Sequence, residues 1–274
     1  MKKILVLLIS IIIISLFSYA GIFYWNNLRG SSPAFNKPPR DINTILNKSN
    51  TKSDTKTPPQ PVNTTEIPLT LPPGFSISIF ANDIPGARVI QLDKDGNMWV
   101  SQTKEGKITF LKIKNGEVAS RKVILSGLNN PHGLAFDENY IYIAETEKII
   151  KMDLDTDEKK KIADLPKSGR HFTRTLGIGS DGKLYVSIGS SCDVCYEKDP
   201  RYSTIYSLNK DGSDFKEYAR GVRNSVFFTW HPKNKKMWAT EMGRDHLGDN
   251  LPPDEINIIE EGKNYGWPIC YGKN

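Results

Sequence analysis

Past its first 25 residues, this 274-residue chain has almost no helical periodicity. That excludes a helical bundle or a helix-layered α/β sheet as the main architecture. Cysteine is nearly as scarce, with only Cys192, Cys195 and Cys270. Cys192 and Cys195 form one C-x-x-C pair; a structural zinc would need a second pair, and thioredoxin-like chemistry would need a βαβ setting. In an exported protein the plain expectation is a local disulfide between these two, which leaves Cys270 unmatched. Charge of one sign is also missing from the folded part. The chain carries +6, but residues 1–66 hold eight Lys/Arg against three Asp/Glu, so the remainder is close to neutral. It therefore offers no basic face for nucleic acid, and no nucleic-acid partner is expected.

An apolar run is present from Ile4 to about Trp25, behind Lys2 and Lys3. It has about the ~20 residues a helix needs to span a bilayer, and the lysines favour a cytoplasmic N-terminus. Ser18-Tyr19-Ala20 would also suit a signal-peptide cleavage site. The run continues through Ile22, Phe23, Tyr24 and Trp25, which favours an uncleaved anchor over residues 1–25, and no cysteine nearby could carry a lipid. The expected location is thus the cell membrane, with the folded part outside the cytoplasm; secreted or periplasmic protein after cleavage is the alternative. Residues 26–66, rich in Pro, Thr, Asn, Ser and Lys, read as a flexible linker.

From residue 67 the pattern turns to short alternating strands, beginning with Phe75–Phe80. Four segments share one plan: 89–102, 133–146, 176–189 and 226–241 each read as an apolar strand, a polar turn, and a strand with an early aromatic. Those aromatics are Trp99, Tyr142, Tyr185 and Trp238. Spacings of ~40–50 residues with several strands per unit mark β-propeller blades. Linking strands are visible at Lys107–Ile113 and Lys148–Leu154, and the third interval holds an extra stretch, 190–201. Residues 67–274 are thus predicted to be all-β: a partial propeller of the six-bladed type, with about four to five blades and a closing part expected beyond Asn274.

Polar groups cluster at equivalent loops of successive units: Pro131-His132-Gly133, Gly169 to Arg174 around His171, and Gly221 to Asn224. A histidine there suits a general base because its pKa lies near neutrality, and Arg223 could be a fixed cation with Asn224 orienting its partner. The richest stretch is Thr240–Gly272, where Asp245, Asp249, Asp254 and Glu255 lie in a run stiffened by Pro252-Pro253. Fixed hard oxygens of this kind suit calcium.

LPPGFSISIFA, NPHGLAF, GRHFTRTLGIGSDGKLYVSIGSSCDVC, RGVRN and WATEMGRDHLGDNLPPDEIN…GKNYGWPICYG, in order over about residues 70–272, resemble the glucose/sorbosone dehydrogenase family. These are six-bladed propellers related to soluble aldose dehydrogenases that use pyrroloquinoline quinone (PQQ). The resemblance implies His171 as the general base and Arg223 as a catalytic cation. It places Arg223 and Asn224 beside the reactive carbonyl of PQQ, and the backbone of Gly243 and Arg244 around a calcium that polarises the cofactor. Asp254, Glu255 and Tyr265 would serve a further calcium, and His132 the substrate. The implied partners are a sugar and an external electron acceptor, with the membrane reached through the N-terminal segment and homodimer formation left open. Two departures stand out. Arg170 replaces an acidic substrate contact of the glucose enzymes, and Met242 replaces a polar residue. The alternatives are a calcium-dependent lactonase-like propeller hydrolase and a non-enzymatic extracytoplasmic binding propeller.

Overall fold

A computed structural model of the chain describes residues 15–22, 60, 62–167, 169–245, 247 and 253–270. Most of the anchor read over 1–25, most of the linker, and Asp249 and His246 lie outside the described residues. Residues 15–22 are helical, and among the described residues no helix is long and apolar enough to cross a membrane.

The described chain contains seventeen strands. The first two form a small pair: β1 (Val62–Asn63) lies parallel to β2 (Ser76–Ile77). Asn63 ties this corner together, accepting from the Thr65 N–H at 2.9 Å and donating to Ile67 O at 2.7 Å. The folded chain therefore reaches back to Val62, inside the stretch the sequence assigns to the linker. The Phe75–Phe80 strand shrinks to two residues, because its partner is this corner and not a blade.

Four sheets follow as blades. The first runs β3 (Ala87–Leu92), β4 (Met98–Gln102), β5 (Lys107–Lys114) and β6 (Glu117–Leu125). The second runs β7 (Leu134–Asp137), β8 (Tyr140–Ala144), β9 (Lys148–Asp153) and β10 (Lys159–Asp164). The third runs β11 (Leu176–Ile178), β12 (Leu184–Ile188), β13 (Thr204–Leu208) and β14 (Lys216–Arg220). The fourth has three strands, β15 (Phe228–Trp230), β16 (Met237–Glu241) and β17 (Glu255–Ile259). Every pairing within the blades is antiparallel and sequential. This is a four-blade β-propeller arrangement, at the lower end of the sequence expectation.

Burial follows from stacking blades face to face. The second and third strands are covered on both sides, so β12 and β13 are buried at every residue and are mainly apolar, with Ser187, Thr204 and Ser207 as the polar positions. The outermost strands β6 and β10 meet water and are mostly exposed. Three cores fill the seams between blades. Trp99 and Ile108 meet Leu134 and Ile143 at the first; Tyr142 and Ile149 meet Leu176 and Leu184 at the second; Tyr185 and Ile205 meet Met237 and Ile259 at the third. Fully burying each such side chain contributes on the order of 1.5–3 kcal/mol.

The aromatics that set the sequence period all fall on the second strand of a blade. Two are pinned by an aspartate of the preceding turn: Asp93 accepts the Trp99 indole N–H at 3.0 Å, and Asp181 accepts the Tyr185 hydroxyl at 2.8 Å. The blades also interlock near the axis. The Gly133 N–H donates to Arg174 O at 2.8 Å, and a Cβ on Gly133 would lie 2.4 Å from that oxygen, so only glycine allows the approach.

Candidate active site

In an antiparallel meander, the connection into each first strand and the one between second and third strands emerge at the same end. The loops before β7, β11 and β15 and those after β8, β12 and β16 therefore share one end of the propeller. All the sequence-predicted site residues except Tyr265 and Glu255 lie in these loops.

A repeated clamp orders this end. Three residues after the blade aromatic, a polar side chain grips the loop that enters the same blade. Gln102 Nε2 donates to Pro85 O at 2.8 Å, Glu145 accepts the Asn129 N–H at 2.6 Å, and Glu241 accepts the Asn224 N–H at 2.6 Å. In the third blade that position is Ile188, and the grip passes to Ser190. The Ser190 carbonyl accepts the backbone N–H of His171 at 3.3 Å, while His171 Nδ1 lies 3.0 Å from the same carbonyl and 2.8 Å from the Ser190 hydroxyl. The Ser190 hydroxyl gives its own proton to Cys192 O at 2.7 Å. Neither oxygen can then donate to the ring, so Nδ1 carries the proton and Nε2 keeps its lone pair. Nε2 has no hydrogen-bond partner among the described residues. Burial holds the His171 pKa below its ordinary value, with the Arg223 charge acting in the same direction, so the ring is neutral at neutral pH.

The loop carrying His171 is held from beneath by Arg174, which is fully buried. Among the described residues Arg174 has no carboxylate in an ion pair, and it donates to four carbonyls: Nε to Thr146 at 3.1 Å, Nη1 to His171 and Thr173 at 2.9 Å each, and Nη2 to Pro166 at 3.4 Å. Desolvation lowers its pKa to about 10, which still leaves it charged.

Arg223 is also buried. Its Nε donates to Asp193 O at 3.1 Å and Nη2 to Asp193 Oδ1 at 2.5 Å; Nη1 donates to Met242 O at 3.2 Å and Gly243 O at 2.7 Å. The Trp267 ring lies against the guanidinium, 5.4 Å away. Of five guanidinium N–H groups, one on Nη2 has no partner among the described residues. Among the described residues the Asn224 amide N–H groups meet one weak partner, Met242 Sδ at 3.8 Å. Arg170 lies at the rim, where its Nη2 pairs with Asp245 at 2.6 Å and its Nε lies 3.9 Å from Asp193.

The structure thus brings His171, Arg223, Asn224 and the Met242-Gly243 backbone into one hydrogen-bonded neighbourhood. His132 is placed differently. Its ring is fully buried against Phe227, 5.6 Å between centroids, and desolvation lowers its pKa to about 4. It underlies the loops instead of facing solvent. Cys192 and Cys195 are joined in a disulfide, and Cys270 is free.

A quinone such as PQQ needs donors at its reactive carbonyl and a base alongside, and the remaining Arg223 N–H, the Asn224 amide and His171 Nε2 fit that demand. Calcium fits less evenly. The Gly243 carbonyl, expected as a calcium ligand with that of Arg244, already accepts from the Arg223 guanidinium, and a bound cation there would meet that charge. The Tyr265 hydroxyl is used twice, donating to Ile258 O at 2.6 Å and accepting the Glu260 N–H at 2.9 Å, so only its backbone could ligate. Asp254 binds the Gly243 N–H at 2.9 Å and Glu255 binds Asn257 Nδ2 at 3.0 Å, each through one oxygen, which leaves the other for a metal.

Ser190, Asp193, Gly189 and Glu241 do not stand out as site residues in the sequence. Glu241 had a signal: it ends its strand three residues after Trp238, as Glu145 does after Tyr142. Burial pushes the Glu241 carboxyl up to about 7 despite donors from Asn224 and Ser225. Ser190 and Asp193 carried no signal beyond their place in the extra stretch 190–201.

The fold and this site define a β-propeller with a histidine–arginine–asparagine site among the loops of one end. Residues 69–273 match the TrAA12-like family, and the chain belongs to it. The chain is 35% identical over 227 residues to an uncharacterized protein of Borreliella burgdorferi, covering 75% of this chain and 58% of that one. It is 26% identical over 254 residues to quinoprotein glucose dehydrogenase B of Acinetobacter calcoaceticus, covering 72% of this chain and 53% of the relative. It thus spans little more than half the length of these curated relatives. Among solved structures, the holo PQQ domain of pyranose dehydrogenase from Coprinopsis cinerea superposes with a TM-score of 0.63 at 19% identity, covering 76% of this chain and 61% of that one. The resemblance to sugar dehydrogenases read from the motifs is borne out.

Proposed function

We propose that this protein is an oxidoreductase acting on CH–OH groups, which oxidises an aldose-type sugar with PQQ as its cofactor. The observation that carries this reading is the His171 ring: neutral, fixed in the Nδ1–H tautomer by Ser190, and with an Nε2 that has no partner among the described residues, beside Arg223 and Asn224. The names of the relatives, a quinoprotein glucose dehydrogenase and a PQQ-domain pyranose dehydrogenase, support it.

Bound PQQ supplies an electrophilic carbonyl that accepts a hydride. The chain's own residues do the rest. His171 Nε2 takes the proton of the sugar hydroxyl, since a base must sit within hydrogen-bond reach and titrate near the working pH. Arg223, fixed by Asp193 and the Gly243 carbonyl, offers one N–H and a positive charge to oxygen that becomes negative, and needs no reorganisation to do so. Asn224 adds an amide donor, and Glu241 holds its backbone. Asp254 and Glu255, with the Tyr265 backbone, are the proposed calcium ligands and serve stability. The chemistry above does not draw on that ion. The Arg170–Asp245 pair closes the rim where the resemblance implies an acidic contact, so glucose itself is not implied. The proposed setting is outside the cytoplasm, tethered through residues 1–25, with an external acceptor reoxidising the cofactor.

Titrating PQQ into the full chain with calcium present, then adding aldoses and a dye acceptor, tests the proposal. Saturable PQQ binding with sugar-dependent dye reduction is expected. Absence of binding, or binding without reduction by any aldose, would contradict it.

A further inference from the structure

We infer that the small disulfide-closed loop Cys192–Cys195 is a positioning element that sets His171 and Arg223 together; the catalytic meaning of this rests on the function proposed above, but the geometry does not. Residues 189–203 connect β12 to β13 without regular structure, and a connection of that length does not by itself hold side chains at fixed positions. Here two anchors restrain it. The disulfide closes a loop of sequence separation 3. Just outside it, Glu197 accepts the Ser191 N–H at 2.8 Å and the Ser191 hydroxyl at 2.5 Å, and takes the Ser203 hydroxyl at 3.3 Å.

The restrained loop then makes two sets of contacts. The Cys192 carbonyl accepts the Ser190 hydroxyl at 2.7 Å, which commits that proton and obliges His171 Nδ1 to be the donor. Asp193, inside the ring, holds Arg223 twice, through its carbonyl at 3.1 Å and its carboxylate at 2.5 Å. The same carboxylate lies 3.9 Å from Arg170 Nε, so the rim pair leans on it too. Opening the ring frees the Cys192 carbonyl and the Asp193 backbone at once. A disulfide that merely stapled a surface loop would leave both side chains unchanged.

The test is side-chain ¹⁵N NMR on the full chain without cofactor, comparing wild type with Cys192→Ser/Cys195→Ser and with Asp193→Ala. His171 is one of four histidines, so a His171 variant assigns its signal. Wild type should show one Nδ1–H tautomer and a slowly exchanging Arg223 Nε–H. The double variant should populate both His171 tautomers and speed Arg223 Nε–H exchange about tenfold or more, as for loss of a buried hydrogen bond. Asp193→Ala removes the carboxylate but keeps the carbonyl, so it should speed Arg223 Nη–H exchange and leave the Nε–H and the His171 tautomer alone. An unchanged His171 tautomer, or unchanged Arg223 exchange, in the double variant overturns the joint role. Should that variant fail to fold, unchanged Arg223 Nη–H exchange in Asp193→Ala overturns it. Because the readout needs no turnover, a protein that behaves this way but oxidises no sugar refutes the proposed function and leaves this inference standing.

Discussion

Gly189 is all that separates His171 from Asn224: a Cβ built on it would lie 2.6 Å from the His171 Cβ and 2.6 Å from Asn224 Oδ1. Real Cβ atoms do not tolerate such contacts, so the first side-chain atom added there must push the base and the amide apart. Gly189→Ala is expected to lower turnover by ~10²-fold, since a displacement of about 1 Å can cost that much. The midpoint of urea unfolding should fall far less than for a core deletion. Steady-state kinetics beside denaturation curves will check this.

Arg174 is a buried cation whose acceptors are all backbone carbonyls of the loops around His171. Replacing it by alanine leaves four carbonyls without their donor, at ~1–3 kcal/mol for each that stays dry. Arg174→Ala is therefore expected to destabilise the domain by several kcal/mol, and Arg174→Lys, with three donors, by less. Urea denaturation of the two variants orders them, and equal losses would contradict the carbonyl account.

Two buried groups act on stability in opposite directions with pH. Glu241 has its pKa raised from 4.5 to about 7, so its contribution is fully present below about 4.5 and is lost as pH rises through 7. His132 has its pKa lowered from 6.5 to about 4, so its contribution is present above 6.5 and is lost as pH falls through 4. Between about 4.5 and 6.5 the folded state gains one proton at Glu241 and forgoes one at His132, so the two slopes cancel. At ~1.4 kcal/mol per unit, each is worth about 3 kcal/mol over its range. Glu241→Gln should leave stability rising with pH across that window, and His132→Gln should leave it falling. Parallel pH profiles for wild type and both variants would refute the pairing.

The blade repeat was legible because the second strand of each blade is sandwiched between neighbours, and that forces apolar runs and a well-placed aromatic at Trp99, Tyr142, Tyr185 and Trp238. His171, Arg223 and Asn224 were legible through their equivalent loop positions and the motif resemblance. Ser190, Asp193 and Gly189 were not. Their partners lie about twenty to thirty-five residues away in sequence, and nothing local distinguishes a serine that fixes a tautomer from one that meets water. His132 shared the loop position of His171, but its neighbours Phe227 and Thr175 come from later blades, so its burial could not be read locally.

Calcium should raise the melting temperature of the full chain, because a ligand of the folded state adds stability by mass action. Asp254→Asn and Glu255→Gln should each shrink that rise, since each removes a carboxylate with a spare oxygen. Tyr265→Phe should leave calcium affinity unchanged, because the hydroxyl is already committed. Differential scanning calorimetry with calcium and with a chelator measures all four proteins; loss of the calcium effect in Tyr265→Phe alone would reverse the assignment.

If His171 Nε2 removes the sugar proton, single-turnover reduction of PQQ-loaded protein by saturating aldose depends on that one nitrogen. His171→Gln keeps the size and a polar group but cannot act as a base at neutral pH. Cofactor reduction slowed by ~10²–10⁴-fold, with PQQ affinity unchanged, is expected. A wild-type rate that rises with pH, with its midpoint below the ordinary histidine value, is also expected. Reduction by the His171→Gln protein at the wild-type rate, with PQQ bound, would contradict that role of His171.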